Sequence, residues 1–154
     1  MLATGAQAPE IQLPDLNGHP FTLTQALKNG PVIVAFFKIS CPTCQLTFPF
    51  LQRLADALPS TLLIAVSQDD ASATREFQAR FGVSMPTLLD TARTYPASNA
   101  FQITSVPSLF VVEPDGKISS AIEGFNKAAI ENLGERFGGS PFRESDHVPA
   151  LRPG

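Results

Sequence analysis

The chain has 154 residues, of which 44% are hydrophobic, and its formal net charge is −3. This length and composition favour one globular domain with a substantial core and argue against a disordered chain. Lysine and arginine are scattered without forming a basic face, so we expect no nucleic-acid partner. Apolar runs stay well below the roughly 20 residues that a membrane-spanning helix needs, so no membrane span is expected.

The first predicted elements are a hairpin, a short helix and a buried strand. Residues 9–23 alternate around the turn signal Asn17-Gly18, which is typical of a short β-hairpin. Thr24 is a suitable cap for a short helix from Gln25 to Lys28. The apolar run from Pro31 to Phe37 then predicts a strand that is buried on both faces.

A longer helix is predicted from Pro42 to Leu58, because its apolar residues recur at a helical period. Pro49 lies inside this helix and is expected to kink it. A second buried strand follows at residues 62–66. A helix is predicted over residues 71–81, and Gly82 is expected to end it.

The remaining pattern is less regular until residue 109. A strand at 86–89 and a short helix at 94–100 are predicted. Asp90 and Arg93 between them are candidates to face a functional site, but a surface pair is the simpler interpretation. Residues 109–112 and 117–122 form a predicted hairpin, and Asn126 is expected to cap a last helix to about residue 137.

Strands that are joined by helices require parallel neighbours in a central sheet with helices on both faces. The last two strands, by contrast, are expected to be antiparallel. The sequence therefore predicts an α/β fold over residues 1–137, with three layers (α/β/α) around a mixed sheet. Residues 138–154 are rich in glycine and proline, and we expect them to be an extended or disordered tail.

Cys41 and Cys44 are the only cysteines, and they lie where the first buried strand meets the long helix. A thiol at a helix N-terminus faces unpaired N–H groups and the helix dipole, which can lower a thiol pKa from about 8.5 to between about 3.5 and 7.5. This spacing predicts dithiol–disulfide chemistry. The two histidines, His19 and His147, are too far apart in sequence to complete a zinc site, so no metal is expected.

In this chemistry we expect Cys41 to be the nucleophile that captures a substrate disulfide as a mixed disulfide. Cys44, one turn into the helix, is expected to resolve that intermediate. Lys38 precedes Cys41 by three residues, and its charge is a candidate for pKa tuning at the dithiol. A solvated lysine at a strand end is the simpler interpretation of Lys38.

Four segments resemble the thioredoxin-like superfamily, in particular the TlpA-type thiol–disulfide reductases and the related redoxins of the alkyl hydroperoxide reductase and thiol-specific antioxidant group. The resemblance covers about residues 5–137. Its segments are an N-terminal extension with a β-hairpin at 5–23, the active-site segment at 34–44, the loop at 104–108 and the hairpin at 110–118.

The resemblance implies a thioredoxin-like fold in which Pro107 follows a cis peptide bond beside the dithiol. It also implies that backbone groups of Val106 pair with a substrate peptide as an extra strand. Pro42 and Thr43, between the cysteines, would belong to the substrate site and tune the redox potential. The implied partners are a disulfide-containing protein and a thiol electron donor.

Three positions depart from the family pattern. Ser40 replaces the usual tryptophan before the first cysteine. Ala35 stands where thioredoxins carry a buried acid, and Thr47 stands where TlpA-type reductases often carry glutamate. The usual proton acceptors for the second cysteine are therefore missing, which leaves the turnover rate and the substrate open.

Three functions remain open. The first is a thiol–disulfide oxidoreductase that acts on protein disulfides. The second is a thiol peroxidase, although Lys38 and Val34 replace the threonine and proline of the Pro-x-x-x-Thr-x-x-Cys motif before Cys41. The third is a non-catalytic module that binds a partner and uses the cysteines as a redox sensor.

The sequence also predicts the setting of the reaction. There is no G-x-G-x-x-G motif, so we expect no nicotinamide or flavin cofactor. The N-terminus lacks a basic and apolar signal segment, which predicts a cytoplasmic protein; a leader that has been removed would make it periplasmic or otherwise extracytoplasmic. The expected donor is a thioredoxin-reductase-like system in the first case and a membrane thiol carrier in the second. We expect a monomer or weak dimer.

Overall fold

A computed structural model describes residues 1–91 and 93–154 of the chain. The longest helix in these ranges has 16 residues, and none of them combines the length and apolar character needed to cross a membrane. The helices are α1 (Leu23–Leu27), α2 (Pro42–Ala57), α3 (Ala71–Phe81), α4 (Pro96–Ala100) and α5 (Lys127–Phe137). The strands are β1 (Gln12–Pro14), β2 (Pro20–Thr22), β3 (Val32–Phe37), β4 (Leu62–Ser67), β5 (Thr87–Leu89), β6 (Ser108–Val112), β7 (Ile118–Glu123), β8 (Phe125–Asn126) and β9 (Leu151–Arg152).

The central sheet has the strand order β5-β4-β3-β6-β7. Strand β3 pairs in parallel with β4, and β4 with β5. Strand β6 runs antiparallel to β3, and β7 runs antiparallel to β6. The sheet is therefore mixed, as the sequence predicts, and the N-terminal hairpin of β1 and β2 stands apart as its own small sheet.

Two hydrophobic clusters cover the two faces of this sheet. All six residues of β3 are buried, and they alternate between the clusters because successive side chains of a strand point to opposite faces. Ile33, Ala35 and Phe37 join α2, α3 and α5 on one face. Val32, Val34 and Phe36 join the hairpin, α1 and α4 on the other face. The predicted three-layer arrangement is confirmed.

The first helix is shifted relative to its prediction. Helix α1 begins at Leu23, and the Thr22 side chain accepts the N–H of Gln25 as its cap. Thr24, the predicted cap, instead uses both its N–H and its hydroxyl to bond the carboxylate of Glu10. A partner from outside the helix, which local sequence does not indicate, therefore moves the helix start.

Asp90 is fully buried, so its interpretation as part of a surface pair is wrong. Its two carboxylate oxygens accept the backbone N–H groups of Ala97 and Ser98 at 2.9 and 2.8 Å. The Ser98 hydroxyl donates to the same carboxylate at 2.6 Å. A buried carboxylate is tolerated here because three donors at the start of α4 replace its hydration.

Residues 138–154 lie against the domain, anchored by aromatic and charged side chains. The Phe142 ring lies 4.8 Å from the ring of Phe50, and Arg53 forms an ion pair with Asp146 at 2.8 Å. Strand β9, near the end of the segment, pairs with β8. The division of the chain into a domain of residues 1–137 and a separate tail of residues 138–154 stays a prediction.

Candidate active site

The loop between β3 and α2 is held from both sides by hydrogen bonds. The N–H of Ile39 donates to the Asp69 carboxylate at 2.8 Å, and the Gln45 side chain donates to the carbonyl of Ile39 at 3.0 Å. The N–H of Cys41 bonds the carbonyl of Lys38 at 3.2 Å. These bonds fix the backbone that leads into Cys41.

Sequence reasoning missed Asp69 as a residue that positions this loop. The available signal was its place two residues after the end of β4, since parallel strands β3 and β4 end at the same edge of the sheet. A carboxylate at that edge is within reach of the loop that follows the neighbouring strand.

Cys41 is the residue that caps α2. Its sulfur accepts the N–H of Cys44 at 3.1 Å, and its backbone is extended, as at most helix N-caps. The same sulfur lies 3.3 Å from the carbonyl oxygen of Val106, to which the thiol donates. The side chain is only partly buried, so the sulfur combines an N–H donor that stabilises a thiolate with partial exposure to solvent.

Cys44 lies one turn after Cys41 in α2 and is completely buried. Burial, with a further contribution from the neighbouring Cys41 sulfur, raises the pKa of the Cys44 thiol far above its ordinary range. Both cysteines are free thiols in this structure. The two sulfurs are therefore unequal, one accessible and one protected.

Lys38 is exposed at the end of β3. Its backbone N–H and its charge lower the pKa of the Cys44 thiol, but burial has the larger effect and the pKa remains raised. An action of Lys38 on the accessible thiol of Cys41 stays a prediction.

The positions that depart from the family pattern provide no proton acceptor for Cys44. Ala35 is buried in the same apolar cluster as Cys44. The hydroxyl of Thr47 is buried and donates to the carbonyl of Thr43 at 2.6 Å, one turn earlier in the helix. Neither side chain can take up a proton from the Cys44 thiol as a carboxylate would.

The Val106–Pro107 peptide bond is cis, as the family resemblance implies. The loop that contains it leads directly into β6 and is tied to its surroundings by the Pro107 carbonyl, which accepts the N–H of Gly124 at 2.8 Å. This loop brings the backbone of Val106 next to the Cys41 sulfur. The structure thus brings Cys41 and Cys44 together with Val106 and Pro107, although more than 60 residues separate the two pairs in the sequence.

The two residues between the cysteines face different surroundings. Pro42 occupies the first turn of α2 and is exposed. Thr43 is buried, and its hydroxyl donates to the carbonyl of Pro153 at 2.7 Å. The chain's own C-terminal segment thus reaches the dithiol, and sequence reasoning missed this because the segment has no hydrophobic period that predicts where it docks.

Comparison with known proteins identifies the family of this chain. Residues 4–121 match the AhpC/TSA family. The chain is 27% identical over 126 residues to the thiol-disulfide oxidoreductase ResA of Geobacillus kaustophilus, covering 80% of this chain and 71% of that protein.

Solved structures share the fold. The thioredoxin domain of a thiol-disulfide oxidoreductase from Bacteroides vulgatus superposes with a TM-score of 0.77 at 24% identity, covering 89% of this chain and 99% of that one. Peroxidoxin BcpB from Mycobacterium tuberculosis superposes with a TM-score of 0.74 at 22% identity, covering 90% and 97%. The chain therefore belongs to the AhpC/TSA family, a family of redoxins, and has the thioredoxin-like fold of thiol-disulfide oxidoreductases.

Proposed function

We propose that the chain exchanges disulfides with protein substrates through its Cys-Pro-Thr-Cys motif. Thiol–disulfide oxidoreductase activity is supported by the family and the named relatives. The observation that carries the finer proposal is the Cys41 sulfur, which accepts the N–H of Cys44 at the start of α2, with the Cys44 thiol buried beneath it.

In the first step, Cys41 attacks as the thiolate. The Cys44 N–H and the N-terminus of α2 stabilise the negative charge on its sulfur. A bond forms between the Cys41 sulfur and one sulfur of the substrate disulfide. The substrate's own S–S bond breaks, and its other sulfur leaves as a thiolate that takes a proton from solvent.

In the second step, Cys44 resolves the mixed disulfide. Its sulfur attacks the Cys41 sulfur, the bond between Cys41 and the substrate breaks, and the proton of the Cys44 thiol is passed to the leaving substrate sulfur. The Cys41–Cys44 disulfide thus forms and the substrate leaves as a dithiol. The protein loses the two electrons that the substrate gains. Burial keeps the Cys44 thiol protonated before this step, and an external thiol donor must afterwards restore the dithiol.

Val106, Pro107, Pro42 and Thr43 are proposed to bind the substrate peptide. The carbonyl of Val106 already lies within hydrogen-bond distance of the Cys41 sulfur, so a peptide that pairs with this backbone would have its disulfide next to the nucleophile. The direction of electron flow, the thiol donor, the cellular location and a monomeric or weakly dimeric state stay predictions.

The test is reduction of insulin disulfides with dithiothreitol as the donor, followed by precipitation of the B chain. Wild-type protein is expected to accelerate the reaction, and Cys41→Ser is expected to abolish the acceleration. Ser60→Ala, an exposed substitution beyond the opposite end of α2, is the matched control and should retain wild-type activity. Wild-type protein that does not accelerate insulin reduction would contradict the proposal.

The same samples test the peroxidase alternative. Because Lys38 and Val34 replace the peroxidatic motif, hydrogen peroxide consumption in the presence of dithiothreitol should stay at the rate measured without protein. Fast consumption at substoichiometric protein would favour a thiol peroxidase.

A further inference from the structure

The C-terminal segment forms a strand that runs towards the redox site. Strand β9 pairs antiparallel with β8, with Arg152 opposite Phe125. The carbonyl of Ala150 accepts the N–H of Lys127 at 3.0 Å. Strand β8 begins immediately after Gly124, which donates to the Pro107 carbonyl, so β9 follows an edge that leads directly to the cis-proline loop.

Beyond β9 the chain contacts both halves of the redox site. The carbonyl of Pro153 accepts the hydroxyl of Thr43 at 2.7 Å, between the two cysteines. Gly154 lies so close to Val106 that a Cβ built on it would be 2.0 Å from the Val106 carbonyl oxygen and 2.7 Å from its carbon. That oxygen is the one to which the Cys41 thiol donates.

We propose that residues 151–154, the tail strand, occupy the groove into which a substrate peptide binds, and that they must detach before a protein disulfide reaches Cys41. This proposal rests on the proposed function. The tail strand has the extended backbone of a peptide ligand, it pairs with a strand edge, and it ends on the same Val106 backbone. Substrate and tail strand therefore compete for one surface.

Two glycines permit the close approach of the tail strand. A Cβ at Gly154 would overlap the Val106 carbonyl, and a Cβ at Gly124 would lie 2.6 Å from the carbonyl oxygen of Arg152. Both contacts are to backbone atoms, which cannot move aside as a flexible side chain would. A larger residue at position 154 is therefore expected to expel the end of the tail strand.

The attachment is suited to reversible release. The side chain of Leu151 is 67% exposed, and Arg152 is also exposed, so the described contacts of the tail strand are made mainly by its backbone. The preceding residues stay anchored through Phe142 and Asp146, which keeps the detached strand close to the groove. Such short, exposed segments open with little free-energy cost.

The experiment compares wild type, Gly154→Val and deletion of residues 151–154. The matched control is Ser145→Val, which introduces the same side chain at an exposed position of the same segment. Cys41 is alkylated with a bulky maleimide, and insulin reduction is measured in parallel. Only molecules whose tail strand has detached can react at Cys41, and in both altered chains nearly all molecules are in this state. Gly154→Val and the deletion should therefore react about three- to tenfold faster than wild type in both assays. The control should match wild type.

The two readouts separate the tail strand from the proposed function. Equal alkylation rates in wild type, Gly154→Val and the deletion would overturn the proposal, whatever the insulin result. Faster alkylation without insulin reduction by any of the chains would support occlusion of Cys41 by the tail strand and contradict the proposed function instead. If Ser145→Val were alkylated as fast as Gly154→Val, the tail-strand proposal would also be overturned, because the effect would not depend on the groove.

Discussion

At the residue scale, the site depends on two thiols with opposite surroundings. Cys41 is accessible and accepts an N–H bond, whereas burial raises the pKa of Cys44. We therefore expect iodoacetamide at pH 8 to alkylate Cys41 selectively. Cys41→Ser should react at less than about one-tenth of the wild-type rate, because a buried thiol with little thiolate is inert. Mass spectrometry of the timed reaction checks this.

Cys44→Ser serves as the control, since it keeps the accessible thiol and should alkylate at close to the wild-type rate. Rapid labelling of Cys41→Ser would mean that Cys44 is neither buried nor protonated in solution, and the assignment of roles would then be wrong.

A second residue-scale prediction concerns the ion pair between Glu113 and Arg136, whose atoms approach to 2.6 Å. Hydrogen bonding to Arg136 lowers the pKa of Glu113 below its ordinary value of 4.5. The carboxylate therefore stabilises the fold above pH 4.5, and this stabilisation is lost as the pH falls through the lowered pKa. Since the pair is partly exposed, its contribution is small, about 0.2–1 kcal/mol.

Urea unfolding of wild type and Glu113→Gln at pH 7 and at pH 2 measures this effect. The variant should be less stable at pH 7, and the stability difference should shrink towards pH 2 as the carboxyl of the folded chain takes up a proton. A stability difference of the same size at both pH values would show that the charge is not its cause.

At the element scale, side-chain caps define where helices begin. The Asp70 carboxylate accepts the N–H of Ala73 at 2.8 Å at the start of α3. Asp70→Ala should lower the free energy of unfolding by about 0.5–2 kcal/mol. Urea denaturation measures the loss, with exposed Ser72→Ala in the same turn as a control that should change stability by less than about 0.5 kcal/mol. Equal effects of the two substitutions would exclude capping as the cause.

Most elements could be predicted because their signals are local. The helical period of α2 and the Gly82 that ends α3 are visible in short windows of sequence, and Gly82 indeed adopts the left-handed conformation. Pro49 lies inside α2 as expected, while the kink it was expected to cause stays a prediction.

Elements that depend on distant partners were missed or displaced. Glu10 moves the start of α1 by bonding Thr24. Strands β8 and β9 have only two residues each, and they exist because two distant segments meet. The same reason explains which parts of the site could be predicted. The dithiol is local and could be predicted, whereas the cis-proline loop required a family resemblance. The contact from Thr43 to Pro153 spans 110 residues and has no sequence signal.

At the scale of the whole molecule, one sheet joins two hydrophobic clusters. Phe48 and Phe101 are both completely buried, on opposite faces of the sheet. Phe48→Ala and Phe101→Ala should each lower the free energy of unfolding by about 3–5 kcal/mol. Because β3 contributes alternate residues to both clusters, each variant should still unfold in one transition. Circular dichroism and tyrosine fluorescence in urea check this, and two separate transitions would contradict it.

The claim on which the functional account depends is that Cys41 captures the substrate and Cys44 releases it. The most direct measurement is trapping of the mixed disulfide with insulin, followed by mass spectrometry of the linked peptides. Cys44→Ser should accumulate a disulfide between Cys41 and insulin, because the resolving thiol is gone, whereas Cys41→Ser should accumulate none. A complex linked through Cys44 in Cys41→Ser, or no complex in Cys44→Ser, would contradict the account.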